Sequence, residues 1–380
     1  MSEITTAESE DPYEIILQKM RRYPSDIPVS EGKISEAFRE YIKLLFTPEE
    51  AEIAQHLETR PLSVGTIAKR IGKDLKETRE ILNEMTDKGI IQDIGGYSYF
   101  IAMAHLLNIG FKYSKSLERL GKKGAELYQQ FFIEEKFYKR YESSDAGTSM
   151  TRIVPINSSI DHKSEILNAE EIHQIFDECK GPIVITDCPC RNRTDILGIR
   201  ECKDKYPIEE SCFQLGLFGK YFIKRGEGRE LSLEEAHQLI DKYARLGLVF
   251  TTENVKDPNH FVICCCCACC CALLRGMTRF EDKNEHCVAK SNYISKVDRE
   301  ACEGCGLCVE RCPFNAISIE NEKALVEPTK CYGCGACAVT CPIKAIKLYR
   351  EERSEIIENH LKLAGKIFEE NRSNQQSSKG

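Results

Sequence analysis

The sequence predicts an α+β chain of several domains, and three observations support this fold class. Helical periodicity followed by a Gly-Gly turn occupies residues 48–100, and short apolar strands alternate with helices over residues 151–295. A cysteine-spaced repeat occupies residues 296–349. The length of 380 residues agrees with two or three domains. The remaining segments are predicted as a polar lead-in with a helix, a helical connector with a linker, and a charged helix with a disordered tail, at residues 1–47, 101–150 and 350–380.

Two cysteine runs near the C-terminus share one spacing, C-x2-C-x2-C-x3-C-P. The first run begins at Cys302 and the second begins at Cys331, 29 positions later. This spacing is typical of a chain that wraps [4Fe–4S] cubes, in which the fourth Cys of each run binds the cluster of the other run. The spacing therefore predicts two ligand sets, which are Cys302, Cys305, Cys308 and Cys341 for one cluster, and Cys331, Cys334, Cys337 and Cys312 for the other.

The repeat continues beyond these ligands. The segment Ala-Ile-Ser-Ile at residues 316–319 matches Ala-Ile-Lys-Leu at residues 345–348, and each predicts a short strand that closes its half of the repeat. In its ligands, prolines and repeat, the segment 296–349 resembles bacterial two-cluster ferredoxins. The resemblance implies a βαββαβ-like module that transfers single electrons at low potential. Zinc is the less favoured alternative for these eight thiolates, because zinc sites usually use paired C-x2-C hooks.

The composition narrows the class of protein further. The chain has 21 Cys and a net charge of −7. Its first ten residues are polar and acidic, and no stretch approaches 18 apolar residues, so neither a secretory leader nor a membrane span is predicted. So many thiols predict a reducing, cytoplasmic setting in an anaerobe, because exposed thiolates and cubes oxidise in air. The glycine-rich signatures of nucleotide sites do not occur in the sequence.

Residues 48–100 predict three helices and a hairpin. The second helix ends at Gly72, the third covers residues 74–88, and a turn at residues 95–96 joins two strands. This order resembles a winged helix-turn-helix. Residues 49–100 contain 7 Lys/Arg and 10 Asp/Glu, a net charge of −3, whereas affinity for DNA depends on neutralising phosphates. We therefore expect this region to contact protein rather than DNA.

Residues 151–295 predict an α/β domain with a second cysteine system. A strictly apolar strand at residues 182–186 leads into a Cys-Pro-Cys motif, and a strand at residues 260–263 leads into seven Cys in eight positions. A helix is expected over residues 211–224. Because α/β sheets place their sites at the carboxyl ends of strands, the two motifs are expected to face each other if their strands are neighbours. The candidate metal ligands are Cys188, Cys190, Cys202, Cys212, Cys264, Cys265, Cys266, Cys267, Cys269, Cys270 and Cys271.

Packing explains one or two buried cysteines but not this density, because a free Cys acts as a small hydrophobe. One or two additional iron–sulfur clusters are the favoured account, and structural zinc or a thiol redox pair are the alternatives. Cys179 is predicted to pack in the core from a helix over residues 169–180, whereas Cys287 is equally compatible with a ligand and a bystander. Arg191 and Arg193 are expected either to place positive charge beside an anionic cluster or to form salt bridges with acidic residues.

The layout as a whole is similar to a family of dicluster ferredoxin-like proteins of anaerobic bacteria and archaea. The shared features are Phe-Thr-Pro-Glu-Glu-Ala at residues 46–51, the motif Cys188-x-Cys190-Arg191, the cysteine run at residues 264–271, and the terminal module. The resemblance implies electron transfer with a partner oxidoreductase and indicates no substrate.

The expected function is therefore that of a multi-cluster electron carrier or electron-transfer subunit with a redox partner protein. One alternative is a reductase whose central cluster keeps an open coordination position for a small substrate. A redox-sensing transcription regulator is less favoured, because the region at residues 48–100 is acidic. No Ser/His/Asp arrangement supports hydrolytic catalysis.

Overall fold

The computed structural model describes residues 11–21 and 27–377. The predicted lead-in at residues 1–10 and 22–26 and the end of the predicted tail at residues 378–380 lie outside this part of the chain. Within it, the chain forms two compact units, and each is described by itself.

The helices alternate with strands along most of the chain. They are α1 (Pro12–Met20), α2 (Glu36–Leu45), α3 (Pro48–Ala54), α4 (Val64–Ile71), α5 (Leu75–Asp87), α6 (Met103–Asn108), α7 (Ser114–Tyr128), α8 (Tyr138–Tyr141), α9 (Ile172–Asp177), α10 (Pro189–Ile196), α11 (Gly216–Lys224), α12 (Leu233–Leu246), α13 (Ala272–Thr278), α14 (Leu307–Arg311), α15 (Ala336–Thr340) and α16 (His360–Ser377). A π-helical turn at Gln129–Glu134 follows α7 directly.

The strands are short. They are β1 (Val29–Ser30), β2 (Lys33–Ile34), β3 (Leu62–Ser63), β4 (Gln92–Ile94), β5 (Ser98–Phe100), β6 (Thr151–Ile153), β7 (Ile183–Thr186), β8 (Cys212–Leu215), β9 (Arg229–Leu231), β10 (Val249–Glu253), β11 (Val262–Cys266), β12 (Tyr293–Val297), β13 (Ile317–Glu320), β14 (Lys323–Val326) and β15 (Ile346–Arg350).

The first unit extends to Tyr141 and also includes Pro189–Ile199. Part of the segment predicted as an extended lead-in is the helix α1, because Asp11 caps it by accepting from the backbone N–H of Tyr13 and Pro12 occupies its first turn. Three apolar side chains of α1 are buried, and this burial offsets the conformational entropy that the segment loses when the helix forms. The predicted lead-in is wrong at this point.

The segment at residues 48–100 follows the order helix, strand, helix, helix, strand, strand. A capping box between Thr47 and Glu50 begins α3, and Gly72 ends α4 in the left-handed conformation at φ 70°. The strands form an antiparallel sheet in the order β3-β5-β4. The three helices and the hairpin lie where the sequence predicts them, β3 was not predicted, and the name winged helix stays a prediction.

The helices that follow hold an aromatic core. The ring of Phe131 packs edge-on against Phe38 and Tyr41, with centroids 5.1 and 5.3 Å apart, and the ring of Tyr128 stacks on Phe132 at 4.7 Å. These aromatic side chains therefore form a core of the first unit.

The second unit begins at Glu142 and resumes at Arg200 after α10. Residues 142–150, which the sequence predicts as a linker, form a turn with an antiparallel bridge between Ser143 and Ser149, and both serines are buried. The hydroxyl of Thr148 also donates to the carboxylate of Glu370 in α16, at 2.9 Å. This segment is thus a packed part of the unit.

The centre of this unit is a sheet of six strands in the order β6-β10-β11-β8-β7-β9, and every pairing is antiparallel. The predicted α/β arrangement is therefore wrong. The helix predicted over residues 211–224 starts only at Gly216, because Phe213 and Leu215 alternate with Cys212 and Gln214 as a buried strand requires. This strand, β8, lies between β7 and β11, so the two strands that lead into the cysteine motifs are not neighbours.

Two other predicted elements differ in length. The helix predicted over residues 169–180 is confined to α9, because Ala169 has a positive φ of 62° and Glu171 caps the helix by accepting from the N–H groups of His173 and Gln174. In contrast, α16 continues through residues predicted as disordered, as far as Ser377.

The terminal module follows the order β12-α14-β13-β14-α15-β15. Strand β12 pairs with β15 and β13 pairs with β14, both antiparallel. The two short helices each begin after a left-handed glycine, Gly306 and Gly335, at φ 81° and 76°. This is the βαββαβ order that the resemblance implies.

Across residues 11–21 and 27–377, no helix is both long enough and apolar enough to cross a membrane.

We predict that Glu50→Gln loosens the first unit. Glu50 is buried and accepts from Arg119 in α7 at 2.6 and 3.0 Å and from Lys88 after α5 at 3.0 Å, so its carboxylate joins three helices. Leaving these two cations without the carboxylate should cost about 3 kcal/mol. Amide hydrogen exchange in α3 and α7 of the intact protein should accelerate by roughly two orders of magnitude, at 1.4 kcal/mol per tenfold.

The pH dependence of stability provides a second test of the role of Glu50. Burial by itself raises the pKa of Glu50, but hydrogen bonds from Arg119, from the Thr47 backbone and from Lys88 outweigh it, and the pKa is lowered. The stabilisation is therefore present above the ordinary pKa of a glutamate and is lost as the pH falls through the lowered value. The Gln variant should lack this loss, whereas Glu80→Gln on the exposed side of α5 should change neither property. Equal exchange rates in the two variants would contradict the prediction.

Candidate metal centres

Each predicted ferredoxin ligand set surrounds one cavity in the terminal module. Cys302, Cys305, Cys308 and Cys341 line one cavity. Cys331, Cys334, Cys337 and Cys312 line a second cavity. The fourth cysteine of each run thus lies with the first three cysteines of the other run.

Hydrogen-bond donors point at several of these sulfurs. The backbone N–H of Ala324 donates to Cys302 Sγ at 3.4 Å, and the N–H of Ala316 donates to Cys312 Sγ at 3.3 Å. The hydroxyl of Ser295 lies 3.2 Å from Cys337 Sγ. Such contacts stabilise negative charge on sulfur and are one of the means by which a protein tunes the potential of a cluster.

The protonation of the cavity thiols is strongly affected by burial. Burial raises the pKa of Cys337 to about 12, although Ser295 opposes the shift, and burial also raises the pKa of Cys334. The N–H of Ala324, in contrast, lowers the pKa of Cys302. A buried thiolate needs a nearby cation, which metal coordination provides, so these cavities fit iron–sulfur clusters.

Side chains alternate between the two faces of the sheet along β11, so the cysteines of this strand lie on different faces. Side chains that follow one another along a strand point to opposite faces. Ile263 and Cys265 belong to the apolar core beneath the sheet. Cys264 and Cys266 therefore lie on the other face.

Four cysteines meet on that other face, and we call them the sheet-face group. Cys264 lies directly opposite Cys212 of β8, and Cys266 Sγ lies 3.3 Å from the Sγ of Cys271. Hydrogen bonds with Cys264 and Cys271, together with burial, raise the pKa of Cys266. The amide of Gln214 donates to Cys212 Sγ at 3.2 Å.

A second group forms where the chain leaves β11 and turns. The Sγ atoms of its members all lie within 4.8 Å of one another, and we call it the four-thiol group: Cys202, Cys267, Cys269 and Cys270. Cys202 lies 3.6 Å from Cys270 and 3.9 Å from Cys267, measured between sulfurs. Cys269 and Cys270 are 3.6 Å apart. Three members are buried and Cys269 is half-buried.

The other predicted residues take different places. Cys188 is half-buried two residues after β7, and its N–H donates to Ile208 at 2.9 Å. Cys190 lies in α10, which belongs to the first unit. Cys179 lies beyond the end of α9 and packs against the central core, as predicted for a core residue. Cys287 is fully buried.

The two arginines of α10 are buried in the first unit. The guanidinium of Arg193 lies over the ring of Tyr128, 3.9 Å from its centroid, which is a cation–π contact. From the sequence, a cluster or an acidic residue was predicted as the partner of the Arg193 charge. No sequence pattern indicated Tyr128, which lies 65 positions earlier. Ser295 and Gln214 are not predictable as contacts of Cys337 and Cys212, because only strand register brings them there.

Two glycines of one loop provide a matched test of the first cavity. Gly304 has φ +69°, and a Cβ there would clash with the carbonyl oxygen of Glu322, whereas Gly306 has φ +81° and open space around the same position. We predict that Gly304→Ala loses one cluster, measured as about four fewer irons per chain, because the loop must move away from Glu322 in the turn between β13 and β14. Gly306→Ala carries only the left-handed strain of about 1 kcal/mol and should keep its iron. Loss of iron in both variants would show that strain, not the clash, decides the outcome.

Comparison with known proteins agrees with this geometry. Residues 294–342 match the 4Fe-4S dicluster domain family. A stretch of 39 residues is 46% identical to pyruvate synthase subunit PorD of Methanothermobacter marburgensis, and it covers 10% of this chain and 44% of that protein. No solved structure matches the chain. The chain is therefore an iron–sulfur protein with a 4Fe-4S dicluster domain near its C-terminus.

Proposed function

We propose that this protein passes electrons to or from a partner oxidoreductase through two ferredoxin-type [4Fe–4S] clusters and one further iron–sulfur cluster in the central domain. The observation that carries the proposal is the pair of cavities in the terminal module, each lined by four cysteines with the fourth ligand exchanged between the runs. The ligands of the first cluster are Cys302, Cys305, Cys308 and Cys341, and those of the second are Cys331, Cys334, Cys337 and Cys312.

Four thiolates for each cube support transfer rather than substrate chemistry. A cube with four cysteine ligands has no iron left open for a substrate, and when bound it supplies one-electron oxidation and reduction. The module also keeps the two cavities close, because α14 and α15 pack against each other. An electron that reaches one cube is thus near the other.

The first cavity lies near the protein surface. Cys305 is exposed, and the cavity is also lined by Leu307, Ile319 and Ile343, whose side chains are about 40% exposed. Exposed apolar residues beside a cluster are suited to contact with another protein, because their burial is favourable and brings the redox centre close. We place the entry or exit of electrons at this end of the module.

The further cluster is assigned to the sheet-face group. Cys212, Cys264, Cys266 and Cys271 offer four soft thiolates on one side of the central sheet, and iron–sulfur clusters favour such ligands. Cys188, which follows the neighbouring strand β7, is a further candidate for this cluster.

The nature of the partner follows from charge and from the relative. PorD is by its name a subunit of pyruvate synthase, and we propose the same kind of role here, as an electron-transfer subunit or carrier for an oxidoreductase. The region at residues 48–100 would add a docking surface. Its exposed Leu75, Ile94 and Tyr97 and its net charge of −3 suit a protein partner better than DNA.

We predict that Cys334→Ala removes the second cube while the first remains. Anaerobically purified variant should hold about four fewer irons and four fewer sulfides per chain, because a cube with three thiolates in this buried loop is poorly held. After reduction, the electron paramagnetic resonance signal should lose the splitting that arises when two reduced cubes are close together. Cys179→Ala is the matched control, since that thiol packs against the core.

Potentiometry of the wild-type protein tests the function itself. Reversible one-electron steps at low potential, in number equal to the clusters, are expected. An iron content that Cys334→Ala leaves unchanged, or clusters that no low-potential donor can reduce, would refute the proposal for the terminal module.

Adjacent cysteines test the central cluster. We predict that Cys266→Ala lowers iron by about four per chain, because it removes a ligand of the sheet-face group, whereas Cys265→Ala keeps its iron because its side chain faces the apolar core. Iron and sulfide are measured on both full-length variants. If both variants keep all their iron, the sheet-face group is not a cluster site, and the assignment of the two terminal cubes is unaffected.

A further inference from the structure

We propose that the four-thiol group binds a single tetrahedral Zn²⁺ ion that is separate from every iron–sulfur cluster. The ligands are Cys202, Cys267, Cys269 and Cys270. The inference concerns a closed structural site and does not depend on the electron-transfer function proposed above.

The distances between sulfurs fit one ion. A Zn–S bond of about 2.3 Å places the four sulfurs of a tetrahedral site about 3.8 Å apart. Three of the six pairs of sulfurs in this group are 3.6, 3.9 and 3.6 Å apart, and all four sulfurs lie within 4.8 Å of one another. The ligands already have the spacing that a single ion requires.

The same distances favour a single ion over a cube. Among the described residues, neither set of four terminal ligands has all its sulfurs within 4.8 Å of one another, and the close pair of Cys266 and Cys271 in the sheet-face group, at 3.3 Å, has no third thiol within that distance of both. In the four-thiol group all four sulfurs are this close. A cube in that place would have to push apart four side chains, three of which are buried in the central core.

Apolar packing explains the convergence of these four thiols less well than coordination of a metal ion does. Cys265 lies in the same apolar core as three of these thiols, but its sulfur is not among the four that converge. The four-thiol group instead turns three sulfurs from one tight turn toward a single point, where a fourth arrives from a segment 65 residues earlier. Convergence of four sulfurs has a reason in coordination and none in apolar packing.

The surroundings compensate the charge that such a site carries. Four thiolates around Zn²⁺ leave a net charge of −2. The guanidinium of Arg279, just after α13, interacts electrostatically with Cys269 and Cys267 and is held by an ion pair with Glu201, the residue before Cys202. A cation near the ligands offsets part of this negative charge.

The ion would also order the chain between two other ligands. The turn that carries Cys267, Cys269 and Cys270 separates Cys266 from Cys271 of the sheet-face group. A zinc ion that ties this turn to Cys202 fixes both ends of it. Four protein ligands leave no open position, so the site is structural rather than catalytic.

The test uses full-length protein purified without oxygen. Metal analysis should find one zinc per chain in addition to the iron, and X-ray absorption at the zinc edge should find four sulfurs at about 2.3 Å. This measurement needs no variant and therefore holds even if a substitution unfolds the protein. Absence of zinc, one iron without sulfide in its place, or zinc with oxygen or nitrogen neighbours would each overturn the proposal.

Variants then assign the ligands. Cys267→Ser and Cys202→Ser should each lose the one zinc and keep the iron and sulfide of the wild type, while Cys265→Ser should keep both metals. If Cys267→Ser instead loses iron together with sulfide, the group is part of a cluster and the proposal fails. Loss of zinc with intact iron and failed low-potential reduction would keep this proposal and reject the electron-transfer function, so the two are tested separately.

Discussion

The burial of many thiols is the physical constraint on which the second unit depends. This unit contains every cysteine of the chain except Cys190, and most of these side chains are buried or half-buried. Burial raises the pKa of thiols such as Cys334, so the negative charge that a ligand needs is unfavourable there unless a metal is present. Metal binding and correct folding of this unit are therefore expected to be coupled, because the bound ion stabilises only the folded arrangement of ligands.

The central sheet shows how a simple geometric rule can divide one cysteine run among several tasks. Along β11, alternation sends Cys265 into the core and Cys264 and Cys266 to the opposite face. Where the strand ends, the alternation ends as well, and the following turn gathers Cys267, Cys269 and Cys270 around Cys202. Seven cysteines in eight positions are thus divided among the apolar core, one face of the sheet and the four-thiol group.

The first unit is stabilised by aromatic packing and by a buried ion-pair network. Its core is aromatic, centred on Tyr128 and Phe131, and its helices are joined by the buried carboxylate of Glu50. None of these contacts requires a metal. We therefore expect this unit to remain folded when the clusters are removed, which agrees with a role in partner docking rather than in electron transfer itself.

The sequence by itself determined the terminal module, because its ligands come from two local runs with a fixed spacing and its strands repeat at the same interval. The helices of residues 48–100 were also predictable, since their caps and apolar periodicity are local. Only the tertiary structure decided the central domain. Strand β8 inserts between β7 and β11, and Cys202 joins a turn 65 residues away, and both depend on which strands pair. Pairing between distant strands is selected by burial of the whole sheet, and no local pattern of residues encodes it.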